Sequence, residues 1–203
     1  MVTILNYGVG NLSSIKNMLK KIGVESIITD DAKIVSEASK LILPGVGSYD
    51  YCVTKINESN FRDTLVEKVL QQKVPILGIC LGLQLMGKSS QEGKLNGLGW
   101  IDASCVKFQF ENNSSFKIPH MGWNDVRQTK ESKLLSKMYE DPRFYFVHSY
   151  HLQCNDPKDI LLTANYGYDF TCAIEQENIY GVQFHPEKSH KYGMKLIENF
   201  VRL

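Results

Sequence analysis

The sequence predicts an α/β fold built on a mostly parallel central sheet, with helices on both faces and an antiparallel extension. Three observations predict it. Up to Gly93, short apolar runs alternate with segments of helical periodicity, the pattern of parallel strands joined by crossover helices. Beyond Gly93 the pattern changes to short alternating segments separated by polar turns, as antiparallel strands require. The chain then closes on a last strand, Tyr180–Phe184, and a helix over Tyr192–Val201.

In order, Thr3–Leu5 reads as a buried strand, Tyr7–Gly10 as a turn and Ser13–Ile22 as an amphipathic helix closed by Gly23. Val24–Thr29 and Lys40–Pro44 follow as strands, the second running into Gly45-Val46-Gly47-Ser48. Two glycines at a strand's carboxyl end let backbone N–H groups face a cleft, which is one way to build an oxyanion hole; an ordinary strand-to-helix turn reads the same. Tyr51–Ile56 and Asn60–Gln72 are helical, and the apolar run from Val74 feeds a helix that ends near Met86. The extension comprises Trp100–Ala103, Val106–Phe110, a polar turn over 111–115, Lys117–Asn124, Arg143–Tyr150, Ile160–Ala164 and Phe170–Glu175. Pattern alone does not order these strands.

The junction Gly78-Ile79-Cys80-Leu81-Gly82 has the form of a nucleophile elbow. Glycines two residues before and after Cys80 are expected to let the backbone turn sharply, exposing the thiol at a helix N-terminus where the thiolate is favoured. A buried cysteine acting as a small hydrophobe would not need them. In a largely parallel sheet, ligands bind at the carboxyl ends of the strands, so Gly45–Gly47 and Cys80 are expected to share one cleft.

With 203 residues the chain fits one domain, 1–203, and its net charge of +1 is spread without basic clusters. Nucleic acid and membrane surfaces are therefore not expected partners. The start, Met1–Asn6, lacks the basic region and small-residue cleavage site of a leader, and no apolar run is long enough to span a bilayer, which points to the cytoplasm. Five cysteines without a CxxC pair suggest free thiols in a reducing compartment, with neither a disulfide framework nor a metal site. Tyr7–Gly10 gives the first two glycines of a dinucleotide fingerprint, with Asp30 about 20 residues on, but Ser13 stands at the third position and breaks it. A nucleotide-binding module stays open as an alternative, as does a stand-alone cysteine hydrolase.

The last strand ends in His185-Pro186-Glu187. In an extended segment residues i and i+2 face the same way, so the carboxylate is expected beside the imidazole. Nucleophile, base and orienting acid then occur in the order Cys80, His185, Glu187, the set needed for acyl transfer. His120, His148, His151 and His190 are expected to be structural or surface residues.

Gly78–Gln84 together with Val182–Glu187 resembles the class I glutamine amidotransferase family. Tyr7–Leu12, Leu43–Gly47, Pro119–Asn124, Phe146–Tyr150 and His185–Ser189 are similar to its histidine-pathway branch, and the similarity spans nearly the whole chain. The resemblance implies the family's three-layer fold and hydrolysis of glutamine by Cys80, His185 and Glu187, without cofactor or metal. It implies an oxyanion hole from the amides of Val46 and Leu81, and a glutamine pocket lined by Gly47, Gln84, Ser149 and Tyr150. It also implies a heterodimer with a (β/α)8-barrel cyclase subunit that receives the ammonia, met near Asn11, Trp123, Tyr145 and Lys188. Until that partner binds its own ligand, the oxyanion backbone near Val46 is expected to stay in an unproductive orientation. The segments His190–Gly193 and Asn165–Phe170 look closer to a paralogous branch that supplies ammonia to a sugar amidotransferase in surface-polysaccharide synthesis, which keeps a second acceptor open.

Overall fold

A computed structural model of the chain describes residues 1–111 and 114–203. Strand β1 (Val2–Leu5) is buried at every position, as a central parallel strand covered on both faces must be. Helix α1 (Leu12–Lys21) buries Ile15 and Leu19, four residues apart on one face, and returns the chain to β2 (Ser26–Thr29). Helix α2 (Ala32–Ser36) was not expected. Its five residues are too few to show a helical period, and Asp31 caps it by accepting from the Lys33 N–H at 2.8 Å.

Strand β3 (Leu41–Leu43) leads to α3 (Tyr49–Asn57), followed by α4 (Arg62–Val66) and a wider helical turn over Glu67–Gln71. Strand β4 (Ile76–Ile79) then runs directly into α5 (Leu81–Leu85). The parallel pairs β2–β1, β1–β3 and β3–β4 confirm the alternation expected up to Gly93.

The second half holds β5 (Ser89–Ser90), β6 (Ala103–Lys107), β7 (His120–Gln128), β8 (Arg143–His148), β9 (Tyr150–Cys154), β10 (Ile160–Tyr166), β11 (Tyr168–Gln176), β12 (Ile179–Val182) and α6 (His190–Arg202). Most of these pairs are antiparallel, and the main sheet runs β2-β1-β3-β4-β12-β11-β10-β7-β8, with β9 and β6 branching from β11. Two expectations are corrected here. Trp100–Asp102 is not a strand, and only Ala103 of the expected segment joins β6: the Trp100 and Ile101 amides both bond to the Met86 carbonyl, so this segment caps α5 while burying the Trp100 and Ile101 side chains. The strand expected over Arg143–Tyr150 is split at Ser149, because β8 pairs with β7 whereas β9 pairs with β6 and β11. The turn expected over 111–115 includes Asn112 and Asn113, which lie outside the described residues.

The position of β12 decides where a site can form. It lies between β4 and β11, parallel to the first and antiparallel to the second, and so joins the two halves of the sheet. Its register pairs Val182 with Ile79, and β3 pairs Leu43 with Gly78. The carboxyl ends of β3, β4 and β12 therefore open side by side. Apolar cores flank the sheet, one including Ile4, Leu19, Phe184 and Phe200, the other Leu5, Tyr49, Phe61 and Leu85.

Candidate active site

Cys80 sits at the break between β4 and α5 with φ 54° and ψ −110°. That conformation is costly for a residue with a side chain, and it persists because both flanks are fixed. On one side the Cys80 N–H donates to the Val182 carbonyl at 2.8 Å; on the other its carbonyl accepts from the Leu83 and Gln84 amides. The glycines at 78 and 82 do not carry the turn, since neither has positive φ. They provide space. A Cβ at Gly82 would stand 1.9 Å from the Leu43 carbonyl oxygen, and one at Gly78 would stand 2.8 Å from the Leu83 nitrogen.

His185 lies three residues past the end of β12, and its N–H is held by the Tyr145 carbonyl at 2.9 Å. Its Nδ1 donates to Glu187 Oε1 at 2.8 Å, with both side chains almost wholly buried. The contact is the expected one but the local geometry is not: Pro186–Lys188 forms a 3₁₀ turn, with the Lys188 N–H bonded to the His185 carbonyl. The Ser189 hydroxyl pins this turn, donating to the His185 carbonyl and accepting from the Tyr145 amide. The other ring nitrogen, Nε2, is buried without an aligned hydrogen-bond partner. Burial alone would push the imidazole down, but Cys80 and Glu187 beside it outweigh that and carry it up to about 9. A base near its nucleophile but not yet aligned is common before substrate binds.

A cavity of about 400 Å³ opens over Cys80, lined by Val46, Gly47, Leu81, Gln84, Ser149, Tyr150 and His185 among others. The residues named for the pocket thus converge from β3, β4, the Ser149 break and β12. The two amides named for the oxyanion hole are not both free. The Leu81 N–H donates to the Gly45 carbonyl at 3.3 Å, so the Gly45–Val46 peptide turns its oxygen toward the place an oxyanion would take. The next carbonyl, Val46, accepts from the Cys52 thiol at 3.5 Å. Burial pushes that thiol up to about 11, with lesser contributions from Glu92 and Cys80, which keeps it a donor.

The glycine turn over Tyr7–Gly10 serves this segment. The Tyr7 hydroxyl donates to the Pro44 carbonyl, and a Cβ at Gly10 would meet the Pro44 ring at 3.1 Å. The turn packs against the segment that leads from β3 into Gly45–Gly47.

On the outer face of β7 and β8, Trp123 is 42% exposed; its ring stacks on His190 at 5.5 Å and meets the edge of Tyr145 at 6.3 Å. The Lys188 ammonium lies 5.7 Å from the Tyr145 ring centre, and Asn11 is exposed at the start of α1 without capping it. Among the described residues no cluster of three or more His, Cys, Asp or Glu is placed to hold a metal, and no helix is long and apolar enough to cross a membrane.

The class-I glutamine amidotransferase family model matches residues 3–203. This chain belongs to that family. Among curated amidotransferase relatives, the imidazole glycerol phosphate synthase subunit HisH 2 of Methanococcus maripaludis is 55% identical over 100% of this chain and 99% of its own length. The subunit HisH 2 of Pseudomonas aeruginosa is 48% identical over the whole of both chains. A Thermotoga maritima PurLQS structure shares the fold, with TM-score 0.75 and 18% identity over 99% of this chain and 97% of its own.

Two features of this amidotransferase site were missed in the sequence. Glu92, in the loop after β5, brings a carboxylate to the rim of the cavity; as a lone acidic residue in a polar loop it carries no pattern. The loop is held by Asp50, which accepts from the Lys94 and Leu95 amides at 2.9 and 3.0 Å. The second is a buried histidine pair behind the pocket. His120 Nδ1 and His148 Nε2 are 2.9 Å apart, and His148 Nδ1 donates to the Tyr150 carbonyl at 2.8 Å.

Burial pushes His120 down to about 4 and His148 well below its ordinary value, and it lowers His151 as well. These rings are neutral when folded and take up protons on unfolding, so their contribution is complete above about pH 6.5 and is lost as pH falls toward 4. For His120 alone the loss amounts to about 3 kcal/mol. Chemical denaturation at pH 7 and pH 4.5 is expected to show a marked fall in stability, shallower in a His120→Gln variant. Equal pH slopes in the two proteins would remove His120 as the cause.

Proposed function

We propose that this chain is the glutaminase subunit of an imidazole glycerol phosphate synthase, hydrolysing glutamine with Cys80, His185 and Glu187 and handing ammonia to a (β/α)8 cyclase subunit. The observation that carries the chemistry is the placement of a strained, cavity-lining Cys80 beside an imidazole that Glu187 orients. Against burial, Cys80 and Glu187 raise His185 to about 9, which suits the imidazole to take the thiol proton as the sulfur becomes a nucleophile. The sulfur attacks the carboxamide carbon of glutamine, and His185 gives its proton to the leaving nitrogen, releasing ammonia and leaving a glutamyl thioester. Water then attacks the thioester, with His185 taking its proton; the thiolate is expelled and glutamate leaves.

The tetrahedral oxyanion needs two N–H donors. The Gly45 carbonyl now occupies Leu81, so rotating the Gly45–Val46 peptide would both free the Leu81 amide and turn the Val46 amide inward. This supports a gated enzyme, slow until the partner favours the rotated peptide. The ammonium of the substrate would face Glu92, and Gly47, Gln84, Ser149 and Tyr150 would hold the remainder of the molecule. The stacked surface of Trp123, Tyr145 and Lys188, with Asn11, is the face we assign to the cyclase.

Glutamate release from glutamine tests this directly. The chain alone is expected to be slow, and a cyclase subunit loaded with its ligand is expected to raise the rate at least about tenfold, the size of an ordinary allosteric coupling. No release in either state would overturn the reading, and activation by a sugar-amidotransferase partner instead would move the acceptor to a glycan. Glu92→Gln is expected to raise KM for glutamine about tenfold or more with a smaller change in kcat, since it removes a contact made equally to substrate and transition state. An unchanged KM would place the ammonium elsewhere.

A further inference from the structure

Gln183 lies just beyond β12, fully buried between two residues of the site. Its Nε2 donates to Cys80 Sγ at 3.7 Å, and its Oε1 accepts from Gln84 Nε2 at 3.0 Å. Gln84 Nε2 also donates to the Tyr150 carbonyl at 3.1 Å, and that same carbonyl accepts from His148 Nδ1 at 2.8 Å. The direction of every bond in this chain follows from its last member. A carbonyl can only accept, so Gln84 must turn its NH₂ toward Tyr150. Both hydrogens of that NH₂ are then used, the second on Gln183, which must present its oxygen to Gln84 and its own NH₂ to the sulfur. Turning either amide over would set two acceptors or two donors face to face in a buried site.

We propose that Gln183 is a further catalytic residue, donating an N–H to the Cys80 thiolate and fixing Gln84 with its oxygen as the group left for substrate. The inference rests on Cys80 being the nucleophile. A hydrogen bond to an ionised sulfur stabilises the thiolate as it forms for attack and again when the thioester breaks down and the thiolate leaves. The fixed Gln84 oxygen can only accept, so at that position it meets an N–H of the substrate. The same relay explains why the histidine pair must stay neutral: a protonated His148 would have to donate through Nε2 as well, toward the Nδ1–H of His120.

The test is the rate at which iodoacetamide alkylates Cys80, followed by mass measurement of the Cys80 peptide over pH 6 to 9. In Gln183→Met, which keeps the volume but has no N–H, alkylation at pH 7 is expected to slow by about tenfold or more, with its pH midpoint displaced upward. Glutamine turnover in the activated complex is expected to lose about tenfold to a hundredfold in kcat. Gln84→Met, which keeps the Gln183 N–H but no longer holds it, is expected to raise KM for glutamine and to slow Cys80 alkylation less than Gln183→Met does, a graded split that a merely structural role for Gln183 would not produce. If Gln183→Met does not fold, Gln183→Asn draws the amide back by one methylene and is expected to show the same displacement in smaller measure. A folded variant that alkylates at the original rate across the pH range would overturn the proposal. Because alkylation needs no glutamine, that failure is distinct from a failure of the glutaminase reading.

Discussion

Cys80→Ser is expected to lower glutamate release by at least about a thousandfold, even with the partner bound, while leaving the fold intact. A hydroxyl gives up its proton far less readily than a thiol, so the proton transfer from position 80 to His185 that makes the nucleophile is lost. What catalysis remains comes from the oxyanion donors and from binding. The substitution is nearly isosteric at this buried position, and the backbone bonds that hold its φ of 54° are made by main-chain atoms. The expected signature is therefore a loss in kcat with unchanged thermal unfolding and retained glutamine binding. Cys80→Ala tests the same point without any nucleophile. Activity within tenfold of the original chain in either variant would mean that another group performs the attack.

How far that site could be read in advance depended on whether a residue's role was local. The elbow was legible because Cys80, the glycines and the helix start lie within five residues, and His185 and Glu187 because they are two apart. Even there the reasons differed from those first given. The bend is taken by Cys80 itself, and the glycines admit neighbouring backbone; the His–Glu contact is made across a 3₁₀ turn, not along a strand. Gln183 meets Cys80 across 103 residues, and Glu92 lines the cavity from a polar loop; neither leaves a pattern in the sequence.

The fold divides the same way. The parallel half followed from strand–helix alternation, because each crossover imposes its own period on the chain. In the antiparallel half the strands were mostly recognisable but their order was not, since β12 pairs with β4 across about half the length of the chain. The short helix α2 and the two-residue β5 fall below the length at which a period can show. Trp100 and Ile101 looked like a strand because they are apolar, yet their amides are used on Met86.

Gly82→Ala is expected to be the most destabilising single methyl in the site, costing about 4 kcal/mol or preventing folding. The added Cβ would lie 1.9 Å from the Leu43 carbonyl oxygen and 2.9 Å from its carbon, both backbone atoms of a fully buried strand end. No rotamer relieves that overlap, so either α5 must lift from β3 or the β3–β4 register at Leu43 and Gly78 must open. Each outcome also moves Leu81 away from Gly45 and so disturbs the oxyanion segment. Gly23→Ala is the comparison, with φ +76° but open space around it, and is expected to cost only about 1 kcal/mol for its backbone conformation. Urea denaturation of the two variants separates crowding from backbone strain. Equal midpoints would show that the elbow can yield at Gly82, and the close approach of α5 to β3 would then not be what the second glycine of the elbow is for.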